Sequence, residues 1–146
     1  MQLRSQSVCV LVFRRMGNRV QYLMLRRKAG RGGFWQSVSG HLNRGETAEE
    51  AARREVREET GLEPKAVVLL EKVNVFFKPG DEVVYLEPCF GVEVADDEPV
   101  LSHEHDAQRW VDLGGALKLV PFAGLREALA ELEQRLVSGL ALPLDG

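Results

Sequence analysis

The stretch Gly40–Leu62, GHLNRGETAEEAARREVREETGL, decides how this chain is read. Thr47 followed by Glu50 fits a capping box and Gly61 offers a C-terminal stop, so the pattern predicts a helix over Ala48 to Thr60. Pro64 prevents its continuation. At about 100° of rotation per residue, Glu55, Glu58 and Glu59 fall within roughly 100° of one another, on the face shared with Ala48, Ala51 and Ala52. Alanines there leave room for something to approach, and Val56 at the border of that face reaches the core. Three anions on one face cost stability unless a cation offsets them. A solvated acidic face tied by pairs such as Arg54 with Glu58 is the plainer alternative. It explains neither the crowding of three carboxylates nor the glycines at 40 and 45. Such a cluster makes most sense with hard divalent cations, whose common task is to handle phosphates.

The rest of the chain is ordinary for a soluble globular protein. Its 146 residues fit one domain, 1–146, long enough to bury a real core, with 45% apolar and 28% charged residues. The net charge of −3, without a basic block, argues against a duplex nucleic-acid surface. Small phosphorylated molecules remain open to it, because a metal site brings its own positive charge. Cys9 and Cys89 each sit in an apolar run and read as buried, reduced thiols. No apolar run approaches the ~20 residues of a membrane span and the N-terminus lacks a signal-peptide core, so a cytoplasmic protein is expected.

Along the chain, Ser7 to Phe13 reads as a buried strand, with Gly17-Asn18 turning into a hairpin partner over Val20 to Leu25. Lys28 to Gly33 is a mobile basic loop, and Trp35 to Ser39 a short strand delivering Gly40. Ala66 to Phe77 and Val83 to Val94 are long strands joined around Lys78-Pro79-Gly80-Asp81. An acidic loop over Asp96 to Pro99, a strand over Gln108 to Val111 and an amphipathic helix over Phe122 to Leu136 complete an α+β order. The tail from about residue 139 reads as loosely held.

The Gly40–Leu62 stretch resembles the Nudix box: Gly40, Glu46, Arg54, Glu55, Val56, Glu58, Glu59, Gly61 and Leu62 fill its fixed positions. The resemblance implies an α/β/α sandwich with a mixed β-sheet between helices. It also implies hydrolysis of a diphosphate linked to another group, with Mg²⁺ or Mn²⁺ as cofactor. By the same resemblance Glu55 and Glu59 are metal ligands, Glu58 a further ligand directly or through water, and the Gly40 carbonyl a completing one. Arg54 orients the glutamates, and Glu46 is bonded within the loop–helix turn. A water with lowered pKa attacks phosphorus and a carboxylate takes its proton. Glu55 is one candidate for that role. Glu104, in Ser102–Trp110 (SHEHDAQRW), is the other, as metal ligand or base, where several Nudix enzymes look similar. His103 and His105 flank it, either as substrate contacts or as solvent-exposed loop side chains.

Substrate choice falls to residues outside the box. Phe34–Gly40 (FWQSVSG) resembles the segment before the box in bacterial dihydroneopterin triphosphate pyrophosphatases of the family. In the functional reading Trp35 stacks on a base or pterin and Gln36 bonds to it, and in the structural one Trp35 packs beneath the loop. Arg26, Arg27 and Lys28 end the second strand, where an arginine suits a phosphate or simply faces water. Pro79-Gly80 is read as a hairpin turn, although ADP-ribose hydrolases of the family carry a comparable proline. The expectation is a pyrophosphohydrolase of a nucleoside or pterin triphosphate. The alternatives are an ADP-ribose, nucleotide-sugar or dinucleoside polyphosphate hydrolase, and a non-catalytic Nudix-fold regulator. The resemblance also allows a homodimer, with the apolar Val67–Val94 strands as the available face.

Overall fold

The computed structural model describes residues 1–139. Eight strands form one mixed sheet: β1 (Gln2–Arg4), β2 (Ser7–Met16), β3 (Arg19–Arg27), β4 (Trp35–Gln36), β5 (Val38–His41), β6 (Pro64–Lys78), β7 (Val83–Val94) and β8 (His105–Val111). Helix α1 (Ala48–Thr60) packs on one face, and α2 (Leu113–Leu119) and α3 (Ala123–Ser138) pack on the other. The order β1-β7-β2-β3-β4 is extended by β5 on β2, β6 on β7 and β8 on β3. Pairing of β7 with β1 and β2 is parallel, and the other pairs are antiparallel. The expected sandwich of helices about a mixed sheet is what forms.

Period-two alternation divides the strands between two cores. Val8, Val10, Val12, Leu23, Leu25, Val38 and Val92 pack against Ala51, Ala52 and Val56 of α1. Leu11, Phe13, Tyr22 and Met24 pack against Leu125, Leu129 and Leu132 of α3. Cys9 and Cys89, partners in register on β2 and β7, are buried free thiols of this second core. One expectation is corrected here. Ala51 and Ala52 are fully buried in the first core, so their small side chains seat α1 closely on the sheet and leave no room for a ligand.

Local chemistry fixes α1 at both ends. Thr47 accepts from the Glu50 amide at 3.1 Å while Glu50 accepts from the Thr47 amide at 3.1 Å, closing the predicted capping box. Gly61 ends the helix at φ 69°, a left-handed conformation that costs glycine little. The segment after β7 supplies the next partners: Val100 donates to the Thr60 carbonyl at 2.7 Å, and Ser102 to that of Glu59 at 3.4 Å.

Elsewhere the structure departs from the expected elements. The three-residue β1, the 3-10 turn Ala29–Arg31 within the basic loop, and α2 have no counterpart in the sequence pattern. Helix α2 carries two glycines, and its start rests on Asp112 accepting from the Gly115 amide at 2.8 Å. Strand β8 begins at His105, three residues before the expected Gln108. Strand β6 is interrupted between Leu69 and Val73, where the freed amides of Glu71 and Lys72 donate to Glu131 of α3 at 2.7 and 2.9 Å. Gly80, at φ 92°, lies in the expected turn between β6 and β7. Among the described residues no helix is long and apolar enough to cross a membrane. The expected loose tail falls, apart from Gly139, outside the described residues.

Removing the α1 cap should weaken the whole domain, because the helix carries one wall of the first core. Thr47→Ala is expected to cost about 1 kcal/mol and to lower Tm by roughly 3–5 °C, measured by thermal unfolding. An unchanged Tm would show that the capping box contributes nothing.

Candidate active site

Arg54 organises the start of the site. Its Nε and Nη2 grip the Glu46 carboxylate at 2.8 and 3.0 Å, and Nη2 also donates to the His41 carbonyl at 2.7 Å. Its Nη1 donates to Glu55 at 2.7 Å and to Glu58 at 3.0 Å. All five guanidinium N–H groups are thereby used, which a lysine could not reproduce. Glu46 also accepts from the Asn43 amide at 2.9 Å, and its pKa is held down, chiefly by the hydrogen bond from Arg54.

Gly40 lies against Glu55. A Cβ built at Gly40 would sit 2.2 Å from the Glu55 carboxyl carbon and Oε1. Any side chain here would displace the carboxylate, so the glycine is required by close approach, at a residue on β5 paired with Val8. Glu55 and Glu59 are both buried, unlike Glu58. The three glutamates, with Ser102, His103 and Glu104, line a recess of about 320 Å³.

The electrostatics of this recess are only partly relieved, by Arg54 at Glu55 and by the Ser39 backbone and the Arg27 charge at Glu59. Glu59 is pushed up to about 8, by burial first and by the charges of Glu55 and Glu104 next. Glu55 is also raised, chiefly by burial, against the opposing hydrogen bond from Arg54. Glu59 Oε2, His105 Nδ1 and Arg27 Nε are buried without hydrogen-bond partners. Orphaned buried polar atoms are rare in folded proteins, and the Glu59 oxygen in the acidic recess fits a polar ligand or cation there. Glu59, Glu104 and His105 each offer one ligand atom, all within 4.8 Å of one another. The carboxylate oxygens among them suit a hard divalent cation such as Mg²⁺ or Mn²⁺.

Of the two histidines beside Glu104, His103 is exposed, whereas His105 is buried with its Nε2 3.0 Å from Gln36 Nε2. Burial lowers its pKa, so the neutral ring is favoured, with Nε2 accepting from the Gln36 amide. Glu104 is fixed through its backbone, which accepts from the Lys28 amide at 3.1 Å, and its carboxylate lies 3.7 Å from Arg31 Nη1.

A larger cleft of about 1010 Å³ adjoins these groups. Arg27, Arg31, Gln36 and Ser39 line it, with Phe34, Phe76, Phe77 and Phe122 among its apolar walls. Arg31 thus faces the cleft and pairs with Glu104. Two expected substrate contacts lie elsewhere. Arg26 is paired with Asp106 at 2.8 Å. Trp35 packs against the second core, with the Arg26 and Arg109 guanidinium carbons 5.8 and 6.0 Å from its ring. The neighbouring Phe34 lines the cleft instead, edge-on to Phe122 at 5.0 Å between ring centroids. Neither Phe34 nor Arg31 stands out as a site in the sequence, although Arg31 lies in the Lys28–Gly33 basic loop and Phe34 precedes Trp35.

Comparison with known proteins agrees with this architecture. The NUDIX domain model matches residues 3–132. The chain is 40% identical over 128 residues to an octanoyltransferase of Myxococcus xanthus, covering 85% of this chain but spanning only 35% of that protein's length. It is 34% identical over 125 residues to the asymmetrical bis(5′-nucleosyl)-tetraphosphatase of Rattus norvegicus, covering 82% of each. It is 30% identical over 141 residues to the dihydroneopterin triphosphate diphosphatase of Escherichia coli (strain K12), covering 88% of this chain and 91% of that one. A solved NUDIX hydrolase structure from Listeria monocytogenes superposes with a TM-score of 0.80 at 28% identity, covering 93% and 97% of the two chains. With the box residues gathered about one acidic recess and the family model spanning nearly the whole chain, this protein belongs to the Nudix hydrolase family.

Proposed function

We propose that this chain is a divalent-metal-dependent pyrophosphohydrolase that cleaves a diphosphate linkage in a nucleoside or pterin triphosphate by water attack at phosphorus. The observation that carries this reading is the buried, unpartnered Glu59 Oε2, set beside Glu104 and His105 where an aromatic cleft opens. Glu55, Glu59 and Glu104 would hold Mg²⁺ or Mn²⁺, with Glu58 and the Gly40 carbonyl completing the oxygen donors. Bound there, the ion supplies positive charge against the diphosphate oxygens and a lowered pKa for the attacking water.

The chain's own residues do the rest. Arg54, on the same helix, holds Glu55 and Glu58 in place through its Nη1. Arg27, with its unpartnered Nε, and Arg31 line the cleft, where they would bind a phosphate chain. The proton leaving water is taken by Glu55 or Glu104, and the pH profiles of the two single Gln variants separate them. Gln36 holds His105 neutral and oriented. A second substrate reading, dinucleoside polyphosphates, is favoured by the similarity to the rat tetraphosphatase. A regulator without turnover is disfavoured, because every box glutamate is present.

Hydrolysis of dihydroneopterin triphosphate, nucleoside triphosphates, ADP-ribose and diadenosine tetraphosphate tests the reading directly, followed as pyrophosphate from the triphosphates, as AMP and ribose phosphate from ADP-ribose, and as ATP and AMP from diadenosine tetraphosphate. Turnover should require added Mg²⁺ or Mn²⁺ and cease with EDTA. Glu59→Gln should lower kcat at least about a hundredfold with the fold intact. Near-normal turnover by that variant would remove Glu59 from the ion's donors.

A second prediction concerns stability without metal. The Glu59 pKa lies above its ordinary value, at about 8, so between about 4.5 and 8 the folded state binds more protons than the unfolded one. Metal-free protein should therefore lose stability as pH rises from 5 toward 8. Glu59→Gln should flatten that slope in denaturant titrations, and an unaltered slope would contradict the assignment.

A further inference from the structure

A carboxylate lies buried in the cleft at a place the proposed chemistry does not use. Glu87, only 9% exposed, sits on β7 among apolar residues and lines the cleft. Its Oε2 accepts from Ser7 Oγ at 2.6 Å and its Oε1 from Asn74 Nδ2 at 3.1 Å. Among the described residues no Lys, Arg or His pairs with it, in a chain whose other buried acids face the recess. An ionised carboxylate offers about four acceptor positions, and two neutral donors leave it half satisfied. Burying such a group is costly unless something else donates to it. Around it the cleft presents Phe34, Phe76, Phe77 and Phe122, a setting for a flat ring.

We propose that Glu87 is the specificity-determining residue of the cleft, accepting the paired ring N–H and exocyclic amino group of a 2-amino-4-oxopyrimidine edge. Guanine and pterin rings share that edge. Two adjacent donors match two carboxylate oxygens, whereas adenine presents one donor beside an acceptor nitrogen and leaves a lone pair facing Glu87. Hypoxanthine keeps the ring N–H but lacks the amino group. The aromatic walls stack on either ring without distinguishing them, so the choice falls to the acid. This inference rests on the cleft being the substrate's ring site, as proposed above, and narrows the substrate class within it.

Calorimetric binding of GMP, IMP, AMP and neopterin to the full chain, without divalent ions, separates this inference from the reaction itself. GMP or neopterin should bind at least about tenfold tighter than AMP, with IMP between them. Relative affinity for GMP and neopterin then tells a nucleotide ring site from a pterin one, and either order supports the shared edge. Glu87→Gln presents a donor beside an acceptor, so it should erase the preference and improve AMP binding. A residue needed only for the fold would weaken all four ligands together. Equal affinity of the wild-type protein for GMP and AMP, undetectable GMP and neopterin binding, or an E87Q variant that keeps the preference would overturn the proposal. If E87Q fails to fold, the wild-type series decides alone. Absence of turnover on every triphosphate would refute the proposed reaction without touching this binding result.

Discussion

The Arg54 guanidinium is the constraint on which the rest of the site depends. One side chain ties the loop before α1, through Glu46 and the His41 carbonyl, to two carboxylates on the helix itself. With every N–H committed, the fork leaves little freedom for either partner. Gly40 then admits the Glu55 carboxylate to a space no side chain could share. Ala51 and Ala52 hold the same helix tightly to the sheet, so packing and ion pairing fix one geometry together.

That geometry is stable for the fold and strained for the charges. Two like charges about 4 Å apart repel by roughly 4 kcal/mol at an effective dielectric constant near 20, a large part of an ordinary domain's roughly 5–15 kcal/mol of stability. Arg54 offsets the charge of Glu55 and Glu58 but makes no hydrogen bond to Glu59. The protein relieves Glu59 by raising its pKa, and a divalent ion would relieve it while leaving it ionised. In the proposed function, stability given up at Glu59 would be the source of affinity for a cation.

Elements set by local chemistry are legible in the sequence. The limits of α1 follow from Thr47, Glu50 and Gly61, whose roles need no tertiary partner. Strand β7 spans the expected residues because a mostly apolar, β-branched and aromatic run lies between a turn and an acidic loop. What depends on tertiary contacts was not legible. Helix α2 owes its start to Asp112, and β1 is three residues that exist by pairing with β7. The register of β3 against β8 shifts between Arg26 and Arg27, sending neighbouring arginines to different surroundings. Phe34 and Trp35 likewise part company, one to the cleft and one to the core. His105 reads as a loop residue, yet β8 begins with it and buries it. Glu87 carried one usable signal, an acid in the middle of an apolar strand, but its hydrogen-bond partners on β2 and β6 emerge only from the sheet.

On the proposed function, Glu59 is held protonated by its surroundings and would exchange that proton for a cation. Titration of metal-free protein with Mg²⁺ at pH 7, by calorimetry in two buffers of different ionisation enthalpy, counts the protons that binding expels. Wild-type protein should release a large fraction of one proton per site, and Glu59→Gln should release almost none. Binding of Mg²⁺ with no proton release from the wild-type protein would contradict the account.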